Sequence, residues 1–289
     1  FLVTSCSVEL LSEDLQSVVD AVGRRTGKTL ALIPTEHFRT FSYFEGMEAA
    51  LSALVRGLKP RPPQARAFAV LGVRHRGAER AEPVRFLQER GYTLQSILPY
   101  EASLDQIEAL PGVSFTLVLD GTGLGVARSL QSEFGIPFVR FDQKLDLDRI
   151  TEAWRQLARL TGEPLASWIG AQRREAAARS EALRPLVILY PFETCLFLSR
   201  LGMIPTCIFL GSVLDHTDES RLALAGQADP LLLQNASSDA VEAMLAEQTP
   251  DYFIGAAGQA IRRYPVRHVN FRTIPVEAGF SFYRSCLSQ

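Results

Sequence analysis

Phe1-Leu2-Val3-Thr4-Ser5-Cys6-Ser7-Val8-Glu9-Leu10-Leu11-Ser12-Glu13-Asp14 opens the chain with a strand that gives way to a helix. Four apolar or β-branched residues, Phe1 to Thr4, lead towards Cys6, and from Glu9 onward Leu11, Leu15, Val18, Val19 and Val22 recur at helical spacing. Cys6 therefore falls in a strand-to-helix turn. Unpaired backbone N–H groups and the helix dipole favour a negative group in such a turn. A thiolate ligand or a bound anion suits the place. So does the alternative of a small buried hydrophobe, the usual fate of a free cysteine.

Outward from that stretch the same alternation continues. After a helix over residues 9–25, residues 29–34 read as a strand and 44–58 as a helix with Met47, Ala50, Leu51, Leu54 and Val55 on its apolar face. Lys59-Pro60-Arg61-Pro62-Pro63 ends that helix, because proline cannot extend the hydrogen-bond ladder, and it closes a first domain at 1–60. In a second domain, 61–163, strands at 67–73, 92–98, 115–119 and 137–141 alternate with helices at 82–90, 104–109, 123–134 and 147–160. Gly162 and Pro164 then precede an Ala/Arg/Glu-rich run, 167–183, read as a solvated linking helix. It opens a third domain, 164–289, with strands at 185–190, 204–210, 231–234 and 252–255 and helices near 193–201, 220–225, 239–248 and 259–263. Apolar strands alternating with helices predict an α/β fold of repeated Rossmann-like domains with parallel sheets. Such sheets bind ligands at the carboxyl ends of their strands.

Composition narrows the partners. A formal charge of −2 with a pI near 6.2 gives no electrostatic reason to expect nucleic acid. No apolar run reaches membrane-spanning length and no signal-peptide pattern is present, so a cytoplasmic location is the default expectation. Cys6, Cys195, Cys207 and Cys286 lie far apart with no C-x-x-C spacing, which argues against a zinc ribbon or thioredoxin-like site. Cys195 and Cys207 fall in apolar patterns and read as core, and Cys286 is near the end of the chain.

Candidate chemistry clusters at strand ends. Asp120-Gly121-Thr122-Gly123-Leu124-Gly125 follows a strand and opens a helix, the place for a glycine-rich anion cradle or for a simple tight turn. It does not fit G-x-G-x-x-G, and Val126-Ala127-Arg128 stands where a P-loop carries Lys-Ser/Thr, so neither direct nicotinamide binding nor ATP hydrolysis is expected. Arg74-His75-Arg76, with Arg80 beyond, follows strand 67–73; the group could bind carboxylates or an anionic cluster, or form a solvated loop. His37, His216 and His268 read as surface residues, Glu193 as a helix-start charge or a cleft acid, and Glu277 as a second cleft acid.

The opening run resembles the segment of the nitrogenase component 1 family in which a cysteine follows a strand and precedes Glu, an apolar pair and a Gly-Asp/Glu-Asp turn, with Ser12 here in place of the usual glycine. Gly91-Tyr92, Phe134-Gly135-Ile136-Pro137, Leu201-Gly202-Met203, Pro250-Asp251-Tyr252 and Ala278-Gly279-Phe280 are similar to further landmarks of that family, in the same order. Besides the catalytic nitrogenase subunits, the family includes cofactor-assembly scaffolds, dark-operative protochlorophyllide and chlorophyllide reductases and the reductive cyclase of nickel-tetrapyrrole synthesis. The resemblance implies a nitrogenase-like reductase subunit that receives electrons from a separate ATP-dependent iron protein, with Cys6 ligating an iron–sulfur cluster at an interface with a homodimer mate or a related second subunit. It implies that Arg74, His75, Arg76 and the corner of Asp120, Gly121 and Gly123 line a cleft for a tetrapyrrole or other metallocofactor.

In catalytic nitrogenase a cofactor-holding cysteine lies at or next to this corner. Leu119 and Asp120 stand there in this chain, and no histidine occurs in 274–280 near the place of the second ligand, so dinitrogen reduction is not implied. The absent initiator Met and the start within a strand lead to the expectation of a longer N-terminus, where the family's other cluster cysteines lie. A non-catalytic scaffold or binding protein, or a cluster-free two-domain sensor, is the competing reading.

Overall fold

The computed structural model describes residues 2–4, 14–28, 30–33, 43–73, 76–100, 102–142, 147–181, 207–210, 231–234, 237–248, 252–254, 267–269 and 279–281. The chain divides into two compact units, Phe1–Ala78 with Phe86–Arg140, and Glu79–Arg85 with Phe141–Gln289.

The first unit begins with β1 (Leu2–Val3) and β2 (Leu32–Ile33), paired in parallel, and with α1 (Leu15–Thr26) between them in sequence. Asp14 starts α1 by accepting the Ser17 amide at 3.1 Å and the Ser17 hydroxyl, while Gly27, at φ +67°, ends it in the left-handed conformation that glycine adopts without a Cβ penalty. The predicted helical residues 9–13 lie outside the described residues. Next come α2 (Tyr43–Val55), β3 (Ala67–Val73), β4 (Thr93–Pro99), α4 (Leu104–Glu108), β5 (Phe115–Val118), α5 (Leu124–Phe134) and β6 (Phe138–Arg140), while α3 (Glu82–Glu89), between β3 and β4 in sequence, begins in the second unit and ends in the first.

The main sheet runs β4-β3-β5-β6, parallel throughout. β3 is buried along its whole length, so it reads as a continuous apolar run instead of an alternating one. Because crossovers are right-handed, the step from β3 to β4 and the return past β3 to β5 place their connections on opposite faces. One face accordingly carries a core of Ala67, Ala69, Leu71, Leu98 and Val118 under Leu51 and Val55 of α2, Ile107 of α4 and Val126, Ala127 and Leu130 of α5. The other carries Phe68 and Phe115, whose rings stack at 6.0 Å. Each large apolar side chain buried this way contributes about 1.5–3 kcal/mol.

The second unit contains α6 (Leu147–Thr161), α7 (Ala166–Glu181), the parallel pair β7 (Cys207–Leu210) and β8 (Leu231–Gln234), α8 (Ser238–Gln248), and the parallel pair β9 (Tyr252–Ile254) and β10 (Arg267–Val269). β10 has no counterpart in the sequence reading. The expected elements at 185–190, 193–201, 220–225 and 259–263 lie outside the described residues. The linking helix is not solvated all round. Leu165, just before it, and Ile169 and Ala176 within it are buried, Trp168 packs edge-on against Trp154 of α6 at 4.7 Å, and Arg173 pairs with Asp148 at 2.6 Å.

The Asp14 cap makes a pH-dependent contribution. Its carboxyl is held below the usual carboxylate range, first by the Ser17 hydroxyl and then by the Ser17 amide. A depressed carboxyl stabilises the fold above its unfolded pKa, and that contribution is lost as pH falls through its folded value. Asp14→Ala should therefore lower the urea midpoint near neutral pH, and the gap to the parent should narrow as pH falls through the folded value of the Asp14 carboxyl. A gap that persists unchanged in acid would remove the ionised cap from the account.

Candidate functional site

In the order β4-β3-β5-β6 the chain leaves β3 toward one side and later returns to the other, so the topological switch point lies between β3 and β5. That is where a doubly wound sheet opens a crevice at its carboxyl edge. Here the edge is closed by backbone. Gly72, at φ +88°, sits so near the β5 exit that a Cβ on it would collide with Asp120 O and meet Gly123 N at 2.8 Å. A Cβ on Gly123 would in turn meet the Gly72 N and Leu71 C atoms, each at 2.6 Å.

Donors of Leu119, Thr122 and Gly123 at the corner are engaged within the chain. Asp120 Oδ1 accepts the Thr122 amide at 3.0 Å and the Thr122 hydroxyl at 2.8 Å. Asp120 O accepts the Gly123 amide at 3.0 Å, and Leu71 O accepts the Leu119 amide at 3.1 Å. At the start of α5, a Cβ on Gly125 would meet Glu48 Oε1 and Ser52 Oγ of α2, each at 2.8 Å. A carboxylate therefore already stands beside that helix start, where the dipole favours it. Gly121 is exposed, whereas Thr122 and Gly123 are buried.

Of the basic group beyond β3, Arg74 and His75 lie outside the described residues. Arg76 is exposed, and its Nε–H donates to the Tyr100 hydroxyl at 2.7 Å, one residue past β4. The Tyr100 amide donates to Val73 O at 3.3 Å, so the exits of β3 and β4 are tied together by backbone and by side chain. Arg80 reaches Glu79 at 3.8 Å, both side chains being well exposed.

Cys6 lies outside the described residues, as do Cys195, Cys286, His37, His216, Glu193 and Glu277. The strand that leads to Cys6 is described: the Thr4 amide donates to Ile33 O at 3.1 Å and Thr4 is buried. Among the described residues, no group of three His, Cys, Asp or Glu side chains could hold a metal ion, and no helix is long and apolar enough to cross a membrane. The roles of Tyr100, Thr122, Glu48 and Ser52 were not read from the sequence. Gly72 did carry a signal, since a glycine inside an apolar strand often marks close approach of another backbone.

The nitrogenase component 1 type oxidoreductase family matches residues 1–273, and the chain belongs to that family. Its relatives include a light-independent protochlorophyllide reductase subunit from Chlorokybus atmophyticus, 28% identical over 154 residues, which are 48% of this chain and 30% of that protein. The corresponding protein from Heliobacterium modesticaldum is 25% identical over 142 residues, or 47% of this chain and 27% of that protein. The matched stretch thus spans less than a third of each of these relatives. Among solved structures, nitrogenase Cp1 at pH 5 superposes with a TM-score of 0.63 over 99% of this chain and 68% of that one, at 17% identity. The pH 6.5 structure gives 0.63 over 99% and 70%, at 15% identity. The α/β architecture of parallel sheets is therefore the nitrogenase component 1 fold.

The Gly72–Gly123 contact fixes an outcome. Gly72→Ala would combine a left-handed backbone with a blocked Cβ and should cost about 2–4 kcal/mol of stability. Urea denaturation checks it; a change within roughly 0.5 kcal/mol, typical of an unconstrained surface site, would mean that the two backbones do not meet.

Proposed function

We propose that this chain is a metallocluster-binding subunit of a nitrogenase-like reductase, working on a tetrapyrrole-type or other metallocofactor substrate and not on dinitrogen. The observation that carries the reading is membership of the nitrogenase component 1 type family over residues 1–273, a span that includes Cys6 and the strand leading to it. In this reading Cys6 is one thiolate ligand of an iron–sulfur cluster, and a second copy or a related subunit supplies others, since such clusters need several thiolates. The cluster, when bound, supplies one-electron transfer.

Two further observations support the assignment against dinitrogen chemistry. Leu119 is buried with its amide engaged in the sheet, and Asp120 caps its own turn, so neither residue offers a thiolate at the corner. The similar proteins from Chlorokybus atmophyticus and Heliobacterium modesticaldum are protochlorophyllide reductase subunits, which favours a tetrapyrrole-like substrate. Arg74 and Arg76 supply positive charge after β3 for carboxylates of such a substrate, with arginine offering bidentate geometry and His75 between them a further hydrogen-bonding group. The corner of Asp120, Gly121 and Gly123 forms the neighbouring wall.

Electrons come from a separate ATP-dependent iron protein, because the chain carries neither a phosphate cradle with Lys-Ser/Thr nor a dinucleotide fingerprint. The protein purified without oxygen should contain iron and acid-labile sulfide, and Cys6→Ser should lower both. Alone it should neither hydrolyse ATP nor oxidise NADPH, and any reduction it carries out should require an added iron protein with ATP and a reductant. Iron content unchanged by Cys6→Ser, or steady ATP turnover by the chain alone, would overturn the proposal. Iron and sulfide without turnover when the reductase is supplied would make the protein a scaffold.

A further inference from the structure

In the second unit, Gly279, Phe280 and Ser281 are each specified by a different constraint. Gly279 has φ +84°, and a Cβ on it would meet Glu82 Oε2 at 2.5 Å and Trp154 Nε1 at 3.0 Å. Phe280 is fully buried, stacked parallel to Trp154 at 6.5 Å and edge-on to Trp168 at 5.9 Å. Phe141 closes the box by meeting Trp154 edge-on at 5.4 Å. The Ser281 amide donates to Glu82 Oε2 at 3.0 Å across 199 residues of sequence.

Glu82 opens α3 and is only 8% exposed. Glutamate is almost never fully buried unless it is paired, and an acceptor aimed at a backbone N–H is one such pairing. Backbone conformation, side chain and amide thus converge on one three-residue turn from three separate directions.

We infer that this turn is a latch that fastens residues 279–281 to their unit, with Phe280 filling the aromatic box and Glu82 acting as the positioning residue that locks the turn through the Ser281 amide. The inference stands apart from the proposed activity, because it uses only contacts inside the second unit.

Trp154 and Trp168 are the chain's two tryptophans, and both lie in this box, so intrinsic fluorescence reads the latch without other tryptophan contributions. In the full chain, Glu82→Ala should speed hydrogen exchange at the Ser281 amide about tenfold, as expected when an amide loses its acceptor. It should also shift tryptophan emission to the red and raise acrylamide quenching. Glu82→Gln, which keeps an acceptor oxygen, should restore most of the protection, whereas Gly279→Ala should release the turn as Glu82→Ala does.

Unchanged emission with a still-protected Ser281 amide in both Glu82→Ala and Gly279→Ala would overturn the latch. Equal loss of protection in β3 and β5 on Glu82→Ala would also overturn it, by making Glu82 a general stabiliser of the fold.

Discussion

Two glycines fifty-one positions apart hold the first unit in its shape. Gly72 and Gly123 bring the end of β3 and the turn after β5 into backbone contact, closer than any side chain would allow. Once they meet, the rest of the carboxyl edge follows. The Thr122 hydroxyl reaches Gly72 O at 3.3 Å, Asp120 folds onto Thr122, and Gly125 at the start of α5 lies against Glu48 and Ser52 of α2. The packing of α2 on α5 is thus set by the same contact that closes the switch point.

The strands were legible because burial on both faces leaves a signature that needs no context. β3 is an unbroken apolar run, and its observed bounds, Ala67–Val73, are those read from the sequence. Where the signal depends on what lies opposite, the reading weakened. α7 looked solvated because Arg173, Arg174 and Glu175 dominate its composition, yet Leu165, Ile169 and Ala176 fall close to one helical line and are buried. Its charged residues say nothing about the face turned to α6. β10 escaped for a related reason: Arg267-His268-Val269 has too few apolar residues to read as a strand, and only its pairing with β9 makes it one.

The candidate site was harder to read, for a physical reason. A glycine demanded by positive φ, one demanded by a close backbone and one that leaves room for a ligand are the same letter in a sequence. What separates them is the atom that a Cβ would meet. At Gly72, Gly123 and Gly125 those atoms belong to the chain itself, so these glycines serve packing first. The candidate residues follow the strands in sequence, where periodicity has stopped and only residue type is left to read. Cys6 after β1 and Arg74 to Arg76 after β3 share that position.

Charge at this edge then has a direction. The amides of Thr122 and Gly123 are engaged by Asp120, and the start of α5 already has Glu48 beside it, so two of the chain's own carboxyl groups stand at the β5 exit. Arg76 is drawn the other way, to Tyr100 beyond β4. In the proposed reading, carboxylates of a substrate are therefore recognised between the β3 and β4 exits. In the same reading the glycine corner holds the opposite wall in place, and Asp120 already engages the Thr122 amide and hydroxyl there, which leaves the β3 and β4 exits as the side that attracts carboxylates.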